Sequence, residues 1–217
     1  QYKLPLVYVN QVGANTDLIF DGGSVAYNKD GSAALQMPFF EENISYVDFN
    51  NGTITTSENS FPLETPIAGV HHALVLGIKD FFAKQGFKKA LLGSSGGIDS
   101  AVTSTLCAKT GEKVILLNMP IHQKPEQVSL SSRHIEWLSK THDNINSVRI
   151  DLTPPFQTMG EALPKEIQDP HTMANTRARM RMLTLYAFAT HHRMLVAGTG
   201  NKVEDFGVGF YTKYGDG

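Results

Sequence analysis

Residues 93 to 100 read Gly-Ser-Ser-Gly-Gly-Ile-Asp-Ser, three glycines and three serines around one isoleucine and one carboxylate. Such a stretch between a strand and a helix can cradle an anion. Gly93, Gly96 and Gly97 let main-chain N–H groups point inward, the helix behind them adds its positive end, and Ser94, Ser95 and Ser100 offer hydroxyls. Asp99 fits an anion site when a divalent cation such as magnesium bridges it to phosphate oxygens. The other reading is a plain glycine-rich turn, with Asp99 favouring the helix start by about 0.3–1 kcal/mol. The stretch has no Walker A lysine, and its glycines do not match GxGxxG.

Two further groups of residues carry potential chemistry. At helical spacing Asn175, Arg179, Met182 and Tyr186 share one face, and Arg177, Arg181 and Phe188 lie near another. An arginine with an aromatic ring two turns on can clamp a ligand made of phosphates and flat rings. Equally, the arginines can be solvated and the tyrosine packed in the core of an amphipathic helix. Farther on, Asn201-x-x-Glu204 reads as a variant capping box at a helix start.

The elements that must position these residues come in two styles. Residues 4 to 50 are β-rich, with short apolar runs broken by turns; Asn28 to Gly31 (Asn-Lys-Asp-Gly) signals a hairpin. Residues 51 to 64 are polar and read as a linker. From residue 65, apolar residues at Ile67, Val70, Leu74, Ile78 and Phe81 have helical spacing, with Pro66 in the first turn and Gly86 at the end. Strands follow at "KALLGS", "KVILLNMP", "SVRIDL" and "MLVAGT". They alternate with helices over Asp99 to Lys109, "PEQVSLSSRHIEWLSK" and Met173 to Arg193. Alternation of this kind predicts an α/β fold with a parallel sheet covered on both faces. Ligands bind such sheets beyond the carboxyl ends of the strands, where residues 93–100, 120–124 and 199–204 fall.

Composition narrows the classes. The chain has 217 residues, a formal net charge of −2 and 18% charged residues, which give no electrostatic case for nucleic acid or an anionic membrane. No apolar run approaches the roughly 18 residues of a membrane span, and the opening "QYKLPLVYVN" lacks a signal-peptide layout. Cys107 is the single cysteine, which excludes an internal disulfide and a multi-thiolate zinc site. In its apolar setting it reads as a packing residue. These features point to a reducing, cytoplasmic setting.

The string "SGGIDS" resembles the pyrophosphate-binding signature of the ATP pyrophosphatases. "NTRARMRM" (Asn175 to Met182) and "GTGNKVEDFGVGFYTKYGDG" (Gly198 to Gly217) resemble NAD synthetases within that superfamily. The resemblance implies a Rossmann-like sheet of the adenine nucleotide α-hydrolase type over residues 65–217. It also implies a ligase that adenylates deamido-NAD with ATP and Mg2+, then lets ammonia displace AMP. By it, the ATP pyrophosphate sits on Gly93 to Ser100, Ile98 included, with Arg181 and Thr199 facing ATP. Asn175, Arg179, Tyr186, Lys213 and Asp216 would touch deamido-NAD; Asp99 and Glu204 would hold the metal. Asp99, Lys213 and Asp216 would be the catalytic group, and Lys202 matches the "NK" of the glutamine-dependent branch. A homodimer or higher homo-oligomer is the expected assembly.

"NQVGANTDLIFDGGSVAYNKDG" and the "FFEE" after it resemble the end of the nitrilase-like αββα glutaminase domain that precedes the synthetase domain in glutamine-dependent enzymes. On this reading residues 1–50 are the last part of such a domain, and ammonia comes from glutamine in the full-length enzyme. No cysteine falls in that segment, so this stretch alone is expected not to hydrolyse glutamine. The chain then reads as a fragment that also stops inside the synthetase domain, with poor or no synthetase activity of its own. The competing readings are another ATP pyrophosphatase, of the GMP synthetase or tRNA-thiolating type, and a catalytically incompetent nucleotide-binding module.

Overall fold

Short apolar runs broken by Asn, Asp and Gly fold the first part of the chain into antiparallel strands. These are β1 (Leu6–Tyr8), β2 (Val12–Asn15), β3 (Leu18–Asp21), β4 (Val25–Tyr27), β5 (Ala33–Gln36), β6 (Asp48–Asn50) and β7 (Thr53–Thr55). β1, β4 and β5 form one sheet in that order; β2–β3 and β6–β7 are separate hairpins. The β4–β5 turn is the expected one: Gly31 has φ +87° and donates its N–H to the Asn28 carbonyl at 2.9 Å. A small core of Ala26, Leu35 and Ile54 holds this part together. Ile54 lies on β7, inside the stretch that reads as a linker.

The computed structural model describes residues 3–216, and they divide into two units between Phe81 and Phe82. The division falls within helix α1 (Pro66–Gln85), which begins on Pro66 and stops at Gly86, φ +73°. Its helical spacing is realised, yet Ile67, Val70, Leu74 and Phe81 are all exposed, and Phe82 is its buried residue.

The second unit alternates strand and helix: β8 (Lys89–Gly93), α2 (Ile98–Lys109), β9 (Lys113–Asn118), α3 (Pro125–Thr141) and β10 (Ile145–Arg149). Then come α4 (Thr153–Ala162), α5 (Pro170–His192) and β11 (Leu195–Val196). The sheet is parallel throughout, in the order β10-β9-β8-β11. The chain steps outward from β8 to β10, then returns on the other side of β8. The order therefore reverses between β8 and β11, and the crevice beyond their carboxyl ends is where a doubly wound sheet takes a ligand. Leu91 and Leu92 of β8 and Leu116 and Leu117 of β9 are completely buried, as strands covered on both faces require.

Three local differences from the sequence reading have physical reasons. The third strand lies at Ile145–Arg149 rather than over residues 147–152, because Leu152 and Thr153 turn into α4, a helix that Pro154, Pro155 and Gly160 obscured. The long helix starts at Pro170, three residues early, because Asp169 caps it by accepting the N–H groups of His171 and Thr172, each at 3.1 Å. Cys107 is buried, and burial pushes its thiol up to about 11, which suits a packing residue.

Candidate functional site

The loop between β8 and α2 is held in one shape by its own serines. Ser95 Oγ accepts the Gly97 N–H at 3.2 Å and lies 3.1 Å from Ser100 Oγ, which donates to the Gly97 carbonyl at 3.0 Å. Gly96 has φ +89°, and a Cβ there would run into the Gln127 carbonyl of α3. Glycine is thus required twice at this position, by dihedral and by space. Gly97 precedes the first residue of α2, and no side chain caps that helix start. Its N–H groups, with their partial positive charge, are left for a ligand. Ser94 is buried: its N–H donates to the Leu117 carbonyl at 2.8 Å, and its Oγ lies 2.8 Å from Ser131 Oγ.

This loop forms one wall of a cavity of about 310 Å³ in the crevice beyond β8 and β11. Gly93, Ser94, Ser95, Asp99 and Ser100 line it, together with Gly198 to Gly200, Arg181 and Asp216. Arg181 is half-buried on α5, and its Nε donates to the Met119 carbonyl at 3.1 Å. That bond aims the rest of its planar fork away from the anchor. Burial first, then Arg177 nearby, draws its pKa below the usual guanidinium range, and Asp216 opposes this. A guanidinium stays charged under such shifts, so the cavity holds a fixed cation with room for an anion.

Asp99 and Glu204 both line the cavity, 105 positions apart in the chain, as does Asp205. Asn201 stands between them. Its Nδ2 donates to Asp99 Oδ1 at 3.4 Å, and its Oδ1 accepts the N–H groups of Val203 and Glu204 at 3.1 and 2.9 Å. Asn201 therefore does cap the short π-helical turn Val203–Val208, and the Glu204 side chain remains on the cavity wall. Among the described residues no three His, Cys, Asp or Glu side chains group as a complete metal site. Two hard carboxylates at the mouth of an anion cradle suit magnesium shared with substrate phosphates.

The last described segment is tied to α5. Arg179 Nε donates to the Lys213 carbonyl at 3.2 Å, and Thr212 Oγ1 donates to Asn175 Oδ1 at 2.7 Å. Asp216 Oδ1 accepts the Thr212 N–H at 2.6 Å, and Lys213 Nζ lies 5.0 Å above the Tyr214 ring. Gly217, which completes the "TKYGDG" string, lies outside the described residues.

Nine of the residues expected at a site thus line one cavity: Gly93, Ser94, Ser95, Asp99, Ser100, Arg181, Thr199, Glu204 and Asp216. Gly96, Gly97 and Ile98 shape its loop without lining it; Asn175, Arg179 and Lys213 also stay off the wall, Asn175 bonded to the Thr212 whose N–H Asp216 accepts and Arg179 to the Lys213 carbonyl. Tyr186 is elsewhere. It is 57% exposed and borders a shallow apolar hollow with Phe87, Arg193 and Met194. The cavity also takes in Gln123, Asp205 and Phe210, which sequence reasoning passed over. Asp205, beside Glu204 in an acidic pair, was the readable one; Gln123 reaches in through a bond from Nε2 to the Ser95 carbonyl at 3.0 Å, which no spacing announces.

Comparison with known proteins gives the family. The family model described as NAD synthase matches residues 70–217. A glutamine-dependent NAD(+) synthetase of Synechocystis is 36% identical over 223 residues, covering all of this chain and 39% of the relative. An NH(3)-dependent NAD(+) synthetase of Mycoplasma genitalium is 37% identical over 143 residues, 64% of this chain and 54% of the relative. The solved structure of a glutamine-dependent NAD+ synthetase from Acinetobacter baumannii in complex with ADP superposes with TM-score 0.85 at 30% identity. It covers 99% of this chain and 41% of that one. The chain spans about two fifths of the length of the glutamine-dependent relatives it matches. With two thirds of its residues inside the family model, and the model's span containing the whole cavity, the chain belongs to the NAD synthase family.

Proposed function

We propose that this chain forms part of a ligase that converts deamido-NAD to NAD with ATP, through an adenylated intermediate, the nitrogen arriving as ammonia. The observation that carries the reading is the convergence of the Gly93–Ser100 loop, Arg181 and the Asp99–Glu204 pair on one cavity at the switch point of the sheet. Membership of the NAD synthase family supports the same reaction class.

In the proposed reaction a nicotinate carboxylate oxygen attacks the α-phosphorus of ATP, and the α–β bridging P–O bond breaks. The departing pyrophosphate carries the charge that must be stabilised. The loop N–H groups and the first turn of α2 would receive its oxygens, and Arg181, on the same cavity, would offer its fork. Magnesium, when bound by Asp99 and Glu204, would neutralise further charge on those phosphates. Ammonia then attacks the acyl carbon, AMP leaves, and the carboxamide forms. Asp216, on the cavity wall and on the segment that α5 pins through Asn175 and Arg179, is the residue proposed to meet the adenylate and the nicotinate end. No nucleophilic side chain is needed: the protein orients two substrates and neutralises charge. In glutamine-dependent relatives the ammonia source is glutamine, and the β-rich first unit is read here as the end of the domain that supplies it.

The test is pyrophosphate release by the full-length protein. ATP with deamido-NAD and ammonia should release it, one pyrophosphate per NAD formed. Release that required XMP or tRNA instead would move the chain to another ATP pyrophosphatase class. ATP binding without release under any of these conditions would make it a binding module.

A further inference from the structure

Helix α3 carries serines at 129, 131, 132 and 139, and two of them behave in opposite ways. Ser132 is exposed, and its Oγ folds back on its own helix, donating to the Val128 carbonyl at 3.0 Å, the usual habit of a helical serine. Ser131 is completely buried and bonds off its helix instead. Its Oγ donates to the Ser94 carbonyl at 3.0 Å, accepts from Asn118 Nδ2 at 2.6 Å, and lies 2.8 Å from Ser94 Oγ. Asn118 Nδ2 also reaches the Ser94 carbonyl, at 3.3 Å, while its buried Oδ1 has no partner among the described residues.

A hydroxyl has one hydrogen and two lone pairs, so the possible arrangements can be counted. Asn118 occupies one lone pair of Ser131 in every case. In one arrangement Ser131 donates to the Ser94 carbonyl and takes the Ser94 hydrogen on its second lone pair; Ser94 then has nothing to donate into the cavity. In the other, Ser131 donates to Ser94 Oγ, Asn118 keeps the carbonyl bonded, and the Ser94 hydrogen is free to turn toward an anion. Ser94 lines the cavity in either case. The same helix supports the loop a second time, one turn earlier, where the Gln127 carbonyl leaves no room for a side chain on Gly96.

We propose that Ser131 is a positioning residue of the anion loop. Its hydroxyl fixes the Ser94 peptide and lets the Ser94 hydroxyl change from an inward to an outward donor when a pyrophosphate arrives. The inference rests on the reading of residues 93–100 as the pyrophosphate cradle.

The test is calorimetric titration of the full-length protein and its variants with inorganic pyrophosphate and magnesium, beside amide hydrogen exchange of the loop. Ser131→Ala should weaken pyrophosphate binding about tenfold, the weight of one or two hydrogen bonds, and Ser131→Thr, which keeps the hydroxyl, should return it to within about threefold. Exchange at residues 94–97 should quicken in Ser131→Ala while the β9 amides of Leu116 and Leu117 stay protected, which separates loop positioning from general destabilisation. Should Ser131→Ala not fold, Ser131→Cys fills the same space with a weak donor and should show the same loss. Unchanged affinity in a folded Ser131→Ala or Ser131→Cys protein overturns the inference and leaves the cradle standing. Wild-type protein that binds no pyrophosphate overturns the cradle reading and the inference together.

Discussion

Asn201 and Asp99 are joined across 102 residues of sequence by one side-chain bond, Nδ2 to Oδ1 at 3.4 Å, while the other end of the same amide caps the turn that carries Glu204. A single side chain thus links the Asp99 carboxylate to the backbone of the turn that carries Glu204. Asn201→Ala removes the bond to Asp99 and the two bonds that cap the turn. The expected outcome is a loss of about 1 kcal/mol of stability from the cap. The magnesium concentration needed for half-maximal ATP binding should also rise. Thermal unfolding and a magnesium titration at fixed ATP measure the two effects separately.

Gly96 is the position in the loop least open to substitution. In Gly96→Ala the new Cβ would meet the α3 backbone at Gln127, and φ +89° is strained for any L side chain. A cost of about 1–3 kcal/mol follows from the dihedral alone. The loop must also move off α3, so pyrophosphate affinity should fall further than stability does. Denaturant unfolding and calorimetry on the same preparation would show both.

Arg181 is held by one N–H, from Nε to the Met119 carbonyl, and lines the cavity. Arg181→Lys keeps the charge and loses the fork, and should weaken ATP binding by about tenfold. Adding salt should not restore the difference, since geometry and not net charge is lost. ATP titrations at two ionic strengths would measure it.

His134 gives the fold a pH dependence. Its Nε2 lies 2.9 Å from the buried Ser104 Oγ and ties α3 to α2, and burial lowers its pKa below the ordinary value of 6.5. The folded state therefore favours the neutral ring. Its contribution is complete above the unfolded pKa near 6.5 and is lost as pH falls through the lower folded value. Unfolding midpoints at pH 7.5 and 5.5 should drop in the wild type, and the drop should be smaller in His134→Gln.

The β8–loop–α2 unit was legible because three local signals coincide there: an apolar run, a cluster of glycines and a helix-spaced run. The expectation of a phosphate cradle comes from the same local signals, since such cradles are local in sequence. Asn118 and Ser131 were not. Their partner Ser94 is 24 and 37 residues away, and the contact exists only once α3 packs on the sheet. Helix α4 was hidden by Pro154 and Pro155, which break helices in the interior but sit here in the first turn. Tyr186 shows the limit of helical periodicity. It shares a face with Asn175 and Arg179 on a 23-residue helix, and its neighbour Leu185 lines the cavity, yet Tyr186 itself borders a different hollow.

The placement of the phosphates carries the account. A crystal structure of the full-length protein with ATP and magnesium tests it most directly. The β- and γ-phosphates should lie against the N–H groups of residues 95–98, with the metal on Asp99 and Glu204 and the Arg181 fork facing the phosphate chain. Phosphates bound away from residues 94–100 would contradict the assignment of this loop, and with it the proposed reaction.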